Sequence, residues 1–222
     1  MRRTGAVLCV VGLAREAAVA GPPFAIGAAG IPVDLTSFAG LVSFGLCGAL
    51  APDLRAGDLI IGDAVVYQGQ RIACDPAWAD RLALALPGAR RGLIAGSQAI
   101  VATADQKRAL HTATGALATD MESHSAAAAA ARAGLPLAVV RAVSDDAGGD
   151  LCRAAQAGFS PSGAPRIAAV LAALARRPWE LPALIRTAVE AEAGFRALAV
   201  AAPSLRLQGE GGADEGGADG TA

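Results

Sequence analysis

Short, wholly apolar runs alternate with amphipathic or alanine-rich stretches along most of this chain. Ala6–Val11 is apolar throughout and ends at Gly12, and Leu41–Phe44 is a second such run, closed by Gly45 and Gly48. Apolar runs of this length, bounded by glycine, read as strands buried on both faces. Leu59–Ile61 and Ala64–Tyr67, separated by Gly62-Asp63, read as further strands, as do Gly92–Ala95 and Leu137–Val143. Helical patterns fill Asp105–Thr114, Ser123–Ala133, Pro165–Arg176 and Pro182–Ala199. Ser123–Ala133 is mostly alanine, the strongest helix former, and its thin side chains suit close packing on a sheet. This alternation predicts an α/β fold of three α/β/α layers around a mostly parallel, mixed central sheet.

A chain of 222 residues with 54% hydrophobic content is long enough for one sizeable core. Residues 1–208 are expected to form that single domain. Gly209–Ala222 is glycine-rich, acidic and free of large apolar residues, so it is expected to be a disordered tail. The 19 basic and 20 acidic residues leave a net charge of −1, which supplies no broad positive field for nucleic acid. Lys107 is the one lysine, which drift towards arginine explains as well as function does. Cys9, Cys47, Cys74 and Cys152 show neither a paired motif nor metal-ligand spacing and are expected to be free thiols; no metal site is expected. Arg15 and Glu16 break the first apolar run before it reaches the length of a secretory leader, and no uncharged span would cross a bilayer. A cytoplasmic protein is expected.

Polar residues cluster at the predicted strand ends, where open α/β sheets bind their ligands. They are Arg15 and Glu16 after the first strand, Gly45 and Gly48 after the second, Asp120 to Ser123 before the alanine helix, and Ser144-Asp145-Asp146 after the late strand. Each has a plain structural reading as well. Glu16 suits the first turn of a helix, Asp120 or Ser123 could cap the alanine helix, Asp145 could turn the chain, and Arg15 could simply face solvent.

Thr119-Asp120-Met121-Glu122-Ser123, followed by Arg141-Ala142-Val143-Ser144-Asp145, resembles the nucleoside phosphorylase and nucleosidase superfamily, in particular its methylthioadenosine/S-adenosylhomocysteine nucleosidase branch. Phe44-Gly45-Leu46-Cys47-Gly48, with the later Gly57-Asp58, is similar to that superfamily's glycine loop and following turn. Within it, Ser43-Phe44-Gly45-Leu46 and the stretch from Arg176 through Trp179 to Arg186 look closest to hopanoid-associated phosphorylases. The resemblance covers roughly residues 6–148.

That resemblance implies cleavage of a purine N-glycosidic bond. Asp145 would be the acid that assists the departing base, oriented by Ser144. Glu122 would grip the ribose hydroxyls, with Met121 packed against the sugar and Ile100 meeting adenine through its backbone. The nucleosidase branch's water-activating glutamate falls five residues after the strand-end glycine, which is Ala17 here; Glu16 stands one residue earlier. Leu46 replaces the serine of the nucleosidase loop. Both departures favour phosphorolysis over hydrolysis, with inorganic phosphate as co-substrate, held by backbone N–H groups near Gly45 and Gly48 and by Arg15. No metal or organic cofactor is implied.

The expected reaction is release of adenine from adenosylhopane. A methylthioadenosine-type hydrolase is the enzymatic alternative, and a non-catalytic nucleoside-binding or assembly protein the alternative of another class. The expected partners are a small nucleoside, further copies of the chain in a homo-oligomer, and a membrane surface reached through the lipid substrate. The short glycine-rich segment 21–40 offers Phe24, Ile26, Ile31, Leu35 and Phe38 as walls of an opening for a bulky 5′ group.

Overall fold

The computed structural model describes residues 5–158, 164 and 166–206. Its strands are β1 (Ala6–Val11), β2 (Phe24–Ile26), β3 (Phe38–Ala49), β4 (Leu59–Tyr67), β5 (Gln70–Ala73), β6 (Arg90–Gly96), β7 (Ala118–Asp120) and β8 (Leu137–Asp145). Its helices are α1 (Ala14–Ala20), α2 (Pro76–Ala85), α3 (Ala104–Thr114), α4 (Ser123–Ala133), α5 (Arg153–Ala157), α6 (Ile167–Arg176) and α7 (Leu181–Arg206). The expected tail, Gly209–Ala222, lies outside the described residues.

The strands form one mixed sheet in the order β2-β1-β3-β7-β6-β4-β5, and β8 pairs with both β3 and β4. That double pairing closes the path β3-β7-β6-β4-β8 on itself. Pairing is parallel except for β3 with β7, β4 with β5 and β4 with β8, so the expected mostly parallel mixed sheet is present. Successive residues of a strand face opposite sides. Accordingly Leu8, Val10 and Leu41 share one apolar cluster with Ala126, Ala127, Ala129 and Ala130 of α4. Cys9, Val11, Val42 and Phe44 share the other with Trp78 and Leu82 of α2 and Phe195 and Leu198 of α7. Helices therefore cover both faces, with the alanine helix laid close as its composition predicts.

Two glycine signals mark close approaches rather than strand ends. β3 runs through Gly45 and Gly48 to Ala49 instead of stopping at Phe44. β4 is continuous across Gly62-Asp63, with a register shift against β6 between Gly62 and Ala64. A side chain at Gly62 would place its Cβ 2.8 Å from Cβ of Val139, so glycine lets β8 pack against β4 there. The apolar patterns of α1, α2, β2, β5, β7 and α5 are too short to announce themselves, although Asp75 before Pro76 is a cap-and-proline signal for α2. All four cysteines are free thiols. Among the described residues, no helix is long and apolar enough to cross a membrane.

Candidate active site

Where β1, β3, β6 and β8 end, together with β7 and the start of α4, they surround a cavity of about 560 Å³. That volume is in the ~300–1,000 Å³ range of small-molecule sites. Glu16, Gly48, Ile100, Met121, Glu122, Ser144 and Asp145 all line it, as expected from the sequence. α7 adds Thr187, Ala191 and Phe195 as a wall. α7 can approach because Gly194 has no side chain: a Cβ there would stand 2.7 Å from Leu46.

Glu16, not Ala17, turns into the site. Adjacent helical residues point about 100° apart, so Ala17 is buried in the core beneath α1 while Glu16 is buried against the cavity. Its Oε2 accepts the backbone N–H groups of Gly12 at 2.7 Å and Leu13 at 2.8 Å, and its Oε1 accepts that of Leu46 at 2.7 Å. Burial pushes this carboxyl above the usual range, opposed by the nearby Arg141 charge and by those three N–H donors. The residue before it, Arg15, points the other way. It pairs with Glu192 at 2.8 Å and lies 4.0 Å over the Phe195 ring, outside the cavity. The reading of Arg15 as a substrate or phosphate ligand is thus corrected: it braces the outer side of α7.

The glycine loop is also repurposed. A Cβ at Gly45 would lie 2.6 Å from the Glu16 carboxyl, one at Gly12 2.6 Å from Glu122 Oε1, and one at Gly48 3.1 Å from Asp145 Oδ2. Each glycine makes room for one carboxylate. The Leu46 N–H, which could have cradled an external anion, is already bonded to Glu16. Gly45 itself stands behind that carboxylate rather than on the cavity wall.

Asp120, the residue ahead of the Met121-Glu122 pair, acts as a cap and as a counter-ion. Its Oδ1 accepts the N–H groups of Ser123 at 2.8 Å and Glu122 at 3.1 Å. Its Oδ2 lies 2.7 Å from Nε of Arg141, which is fully buried. Arg141 also donates to Ser43 Oγ at 2.6 Å and stands 3.6 Å from Glu122. Burial pushes the Glu122 carboxyl up to about 7, with Arg141 opposing and the negative charges of Asp120 and Glu16 adding to the rise.

Asp145 sits at the end of β8 with Ser144 Oγ 3.0 Å from its Oδ1. Its other oxygen, Oδ2, accepts from Lys107 Nζ at 2.5 Å, and the same ammonium donates to the carbonyls of Asp146 at 2.6 Å and Gly149 at 3.0 Å. Lys107 is fully buried. Sequence reasoning set it aside because drift towards arginine explains a single lysine as well as function does. The available signal was its being the one lysine of a chain whose other cations are arginines. Replacing it with methionine should strand Asp145 beside a desolvated apolar tip. Breaking a buried pair from one side costs on the order of 3 kcal/mol. Urea unfolding should show that loss for Lys107→Met and partial recovery in Lys107→Met/Asp145→Asn; additive losses would mean that the pair is not coupled.

The segment 21–40 contributes only Gly27 and Ala28 to the cavity. Leu35 belongs to the core, Ile31 and Phe38 pack against it, Ile26 packs on the opposite cluster, and Phe24 is half-exposed on the edge strand. The expectation that these five side chains line an opening is therefore not met: four of them are taken up by the core clusters and Phe24 lies at the sheet edge.

A model of the phosphorylase superfamily matches residues 28–176. Among solved structures the chain is similar to a 5′-methylthioadenosine/S-adenosylhomocysteine nucleosidase from S. pneumoniae bound to a transition-state inhibitor. That likeness has 22% identity and a TM-score of 0.59, and covers 75% of this chain and 96% of that one. The Helicobacter pylori nucleosidase, with 5′-methylthioadenosine in its active site, gives 14% identity and a TM-score of 0.64, covering 93% and 98%. Futalosine hydrolase of Helicobacter pylori gives 16% identity and a TM-score of 0.58, covering 78% and 98%. At these identities the structural likenesses bear on the fold. No curated protein matches the chain.

Proposed function

The chain belongs to the phosphorylase superfamily, and on that premise we propose that it releases adenine from a purine nucleoside carrying a bulky apolar 5′ group, adenosylhopane by the sequence resemblance, with water as the nucleophile. The observation that carries the choice of water is Glu16. Its carboxylate occupies the backbone N–H groups of Gly12, Leu13 and Leu46 that would otherwise receive an anion. Three acceptances leave one of its roughly four lone-pair sites for a water proton. Among the described residues lining the cavity there is no lysine or arginine, and Glu16, Asp120, Glu122 and Asp145 face it. Phosphate would meet four carboxyl groups without a free cation. This reading reverses the preference for phosphorolysis drawn from the sequence, because Glu16, rather than Ala17, faces the cavity.

In this mechanism Asp145 assists the departing purine and Ser144 orients it. Glu122 accepts the ribose hydroxyls and stabilises positive charge developing on the sugar, while Met121 and Ile100 enclose the nucleoside. The decisive assay measures adenine release from adenosylhopane, from adenosines of graded 5′-alkyl length and from 5′-methylthioadenosine, each with and without phosphate. Free ribosyl product, turnover indifferent to phosphate and a kcat/KM that rises with 5′ length are expected, since buried apolar area contributes about 25 cal/mol per Å² before ordering costs. Formation of a ribose 1-phosphate would overturn hydrolysis, a steady decline with length would overturn the bulky substituent, and no turnover at all would leave a binding protein.

Glu122 adds a pH signature. With its carboxyl pushed up to about 7 by burial, the charged acceptor is lost as pH falls through that value and gained as pH rises. The kcat/KM preference for ribosides over 2′-deoxyribosides should therefore grow with pH across neutrality. Charged hydrogen bonds exceed neutral ones by about 1–1.5 kcal/mol, so the change should approach tenfold. Glu122→Gln should flatten the profile; an unchanged profile in that variant would reduce Glu122 to a helix-start residue.

A further inference from the structure

α6 is built from isoleucine, valine, leucine and alanine up to its closing arginine, yet none of its residues is buried. Its exposed positions repeat at helical spacing and include Ile167 and Leu171, 66% and 60% exposed. Trp179, which follows α6, is 71% exposed, and Leu181, Ile185 and Val189 lie exposed at four-residue spacing on one stripe of α7. An exposed apolar run of this kind is unusual on a surface that meets only water. Arg166 and Arg176 are exposed on it, and Arg186, exposed as well, pairs with Glu190 at 3.7 Å. Glu180 is the one acid between 166 and 189. It is turned inward, accepting the Ala154 N–H at 3.0 Å and pairing with Arg177 at 3.5 Å.

We propose that the exposed face of residues 166–189 docks on an anionic lipid bilayer. A tryptophan and aliphatic side chains flanked by arginines match the apolar boundary and negative headgroups of such a surface. A second copy of the chain fits less well, because a two-fold contact would bring both copies' Arg166 and Arg176 into one interface, while Glu180 is turned inward and Glu190 is held by Arg186. The face adjoins the active site. Thr187 and Ala191, on the opposite side of α7 from Ile185 and Val189, line the catalytic cavity, and Arg186 lines a smaller cavity of about 450 Å³ that shares Asp145 with it. Docking would hold the site about one helix diameter, ~10 Å, from the lipid. The inference rests on exposure and charge and stands whichever nucleoside the site takes.

Trp179 reports the contact, because the chain's other tryptophan, Trp78, is buried. Full-length protein is titrated with vesicles of phosphatidylcholine alone and of equal parts phosphatidylcholine and phosphatidylglycerol, following emission and co-sedimentation. A blue shift and sedimentation are expected with the mixed vesicles. Arg166→Gln and Arg176→Gln should each weaken partition about five-fold, and Leu171→Ser/Ile185→Ser should abolish it with an unchanged melting temperature. No shift, or equal binding to phosphatidylcholine alone, overturns the proposal. So does a lipid-independent, concentration-dependent dimer that Leu171→Ser dissolves, which would assign the face to a second copy. Binding that appears only after removal of residues 209–222 would assign it to the chain's acidic tail instead.

Discussion

Replacing Asp145 with asparagine is expected to lower kcat by about 10²–10⁴-fold, the usual cost of losing general acid catalysis, while KM changes little. The substitution keeps the size of the side chain and its contact with Ser144, and Lys107 retains two carbonyl partners at Asp146 and Gly149. What disappears is the carboxyl proposed to assist the departing purine. Binding of a non-hydrolysable nucleoside analogue should therefore survive. A nucleoside whose leaving group needs no protonation should recover much of the lost rate. Near-wild-type turnover of adenosine substrates by Asp145→Asn would remove Asp145 from the chemistry and leave it as the counter-ion of Lys107.

Glu16→Gln should cost a comparable ~10²–10⁴-fold in adenine release if Glu16 activates water. Both carboxylate oxygens accept backbone N–H groups, so the amide must turn its NH₂ towards donors on one side. A stability loss of about 1–3 kcal/mol should accompany the change, and activity is therefore to be compared at temperatures where both proteins are folded. The pH profile separates the two effects. Burial raises the Glu16 carboxyl, so the ionised base is lost as pH falls through its raised value, and wild-type kcat/KM should fall on that limb. The glutamine variant should lack the limb. Retention of a phosphate-dependent rate in Glu16→Gln would show that phosphate is the nucleophile and that Glu16 merely ties α1 to the glycine loop.

The layers of the fold were legible in the chain because burial on both faces of a strand needs a continuous apolar run. β1 matches its predicted bounds residue for residue, as does α4. So were Asp145, Ser144, Met121 and Glu122, which stand in contiguous motifs at the ends of β8 and β7. Arg141 was visible too, as one charge within an apolar strand, but its place between Asp120 and Glu122 was not.

Tertiary structure alone decided the rest, for reasons of direction and distance. Arg15 and Glu16 are neighbours in sequence, yet the ~100° step between adjacent helical positions sends the first to Glu192 on α7 and the second to the cavity. Lys107 and Asp145 are separated by 38 positions and meet because α3 lies beside the end of β8. Gly12, Gly45 and Gly48 look like turn residues until the carboxyl groups of Glu122, Glu16 and Asp145 are seen against their missing side chains. Residue type and spacing determine which face of an element is buried. Which charges share a cavity depends on contacts between elements far apart in the chain, and a local pattern carries no information about those.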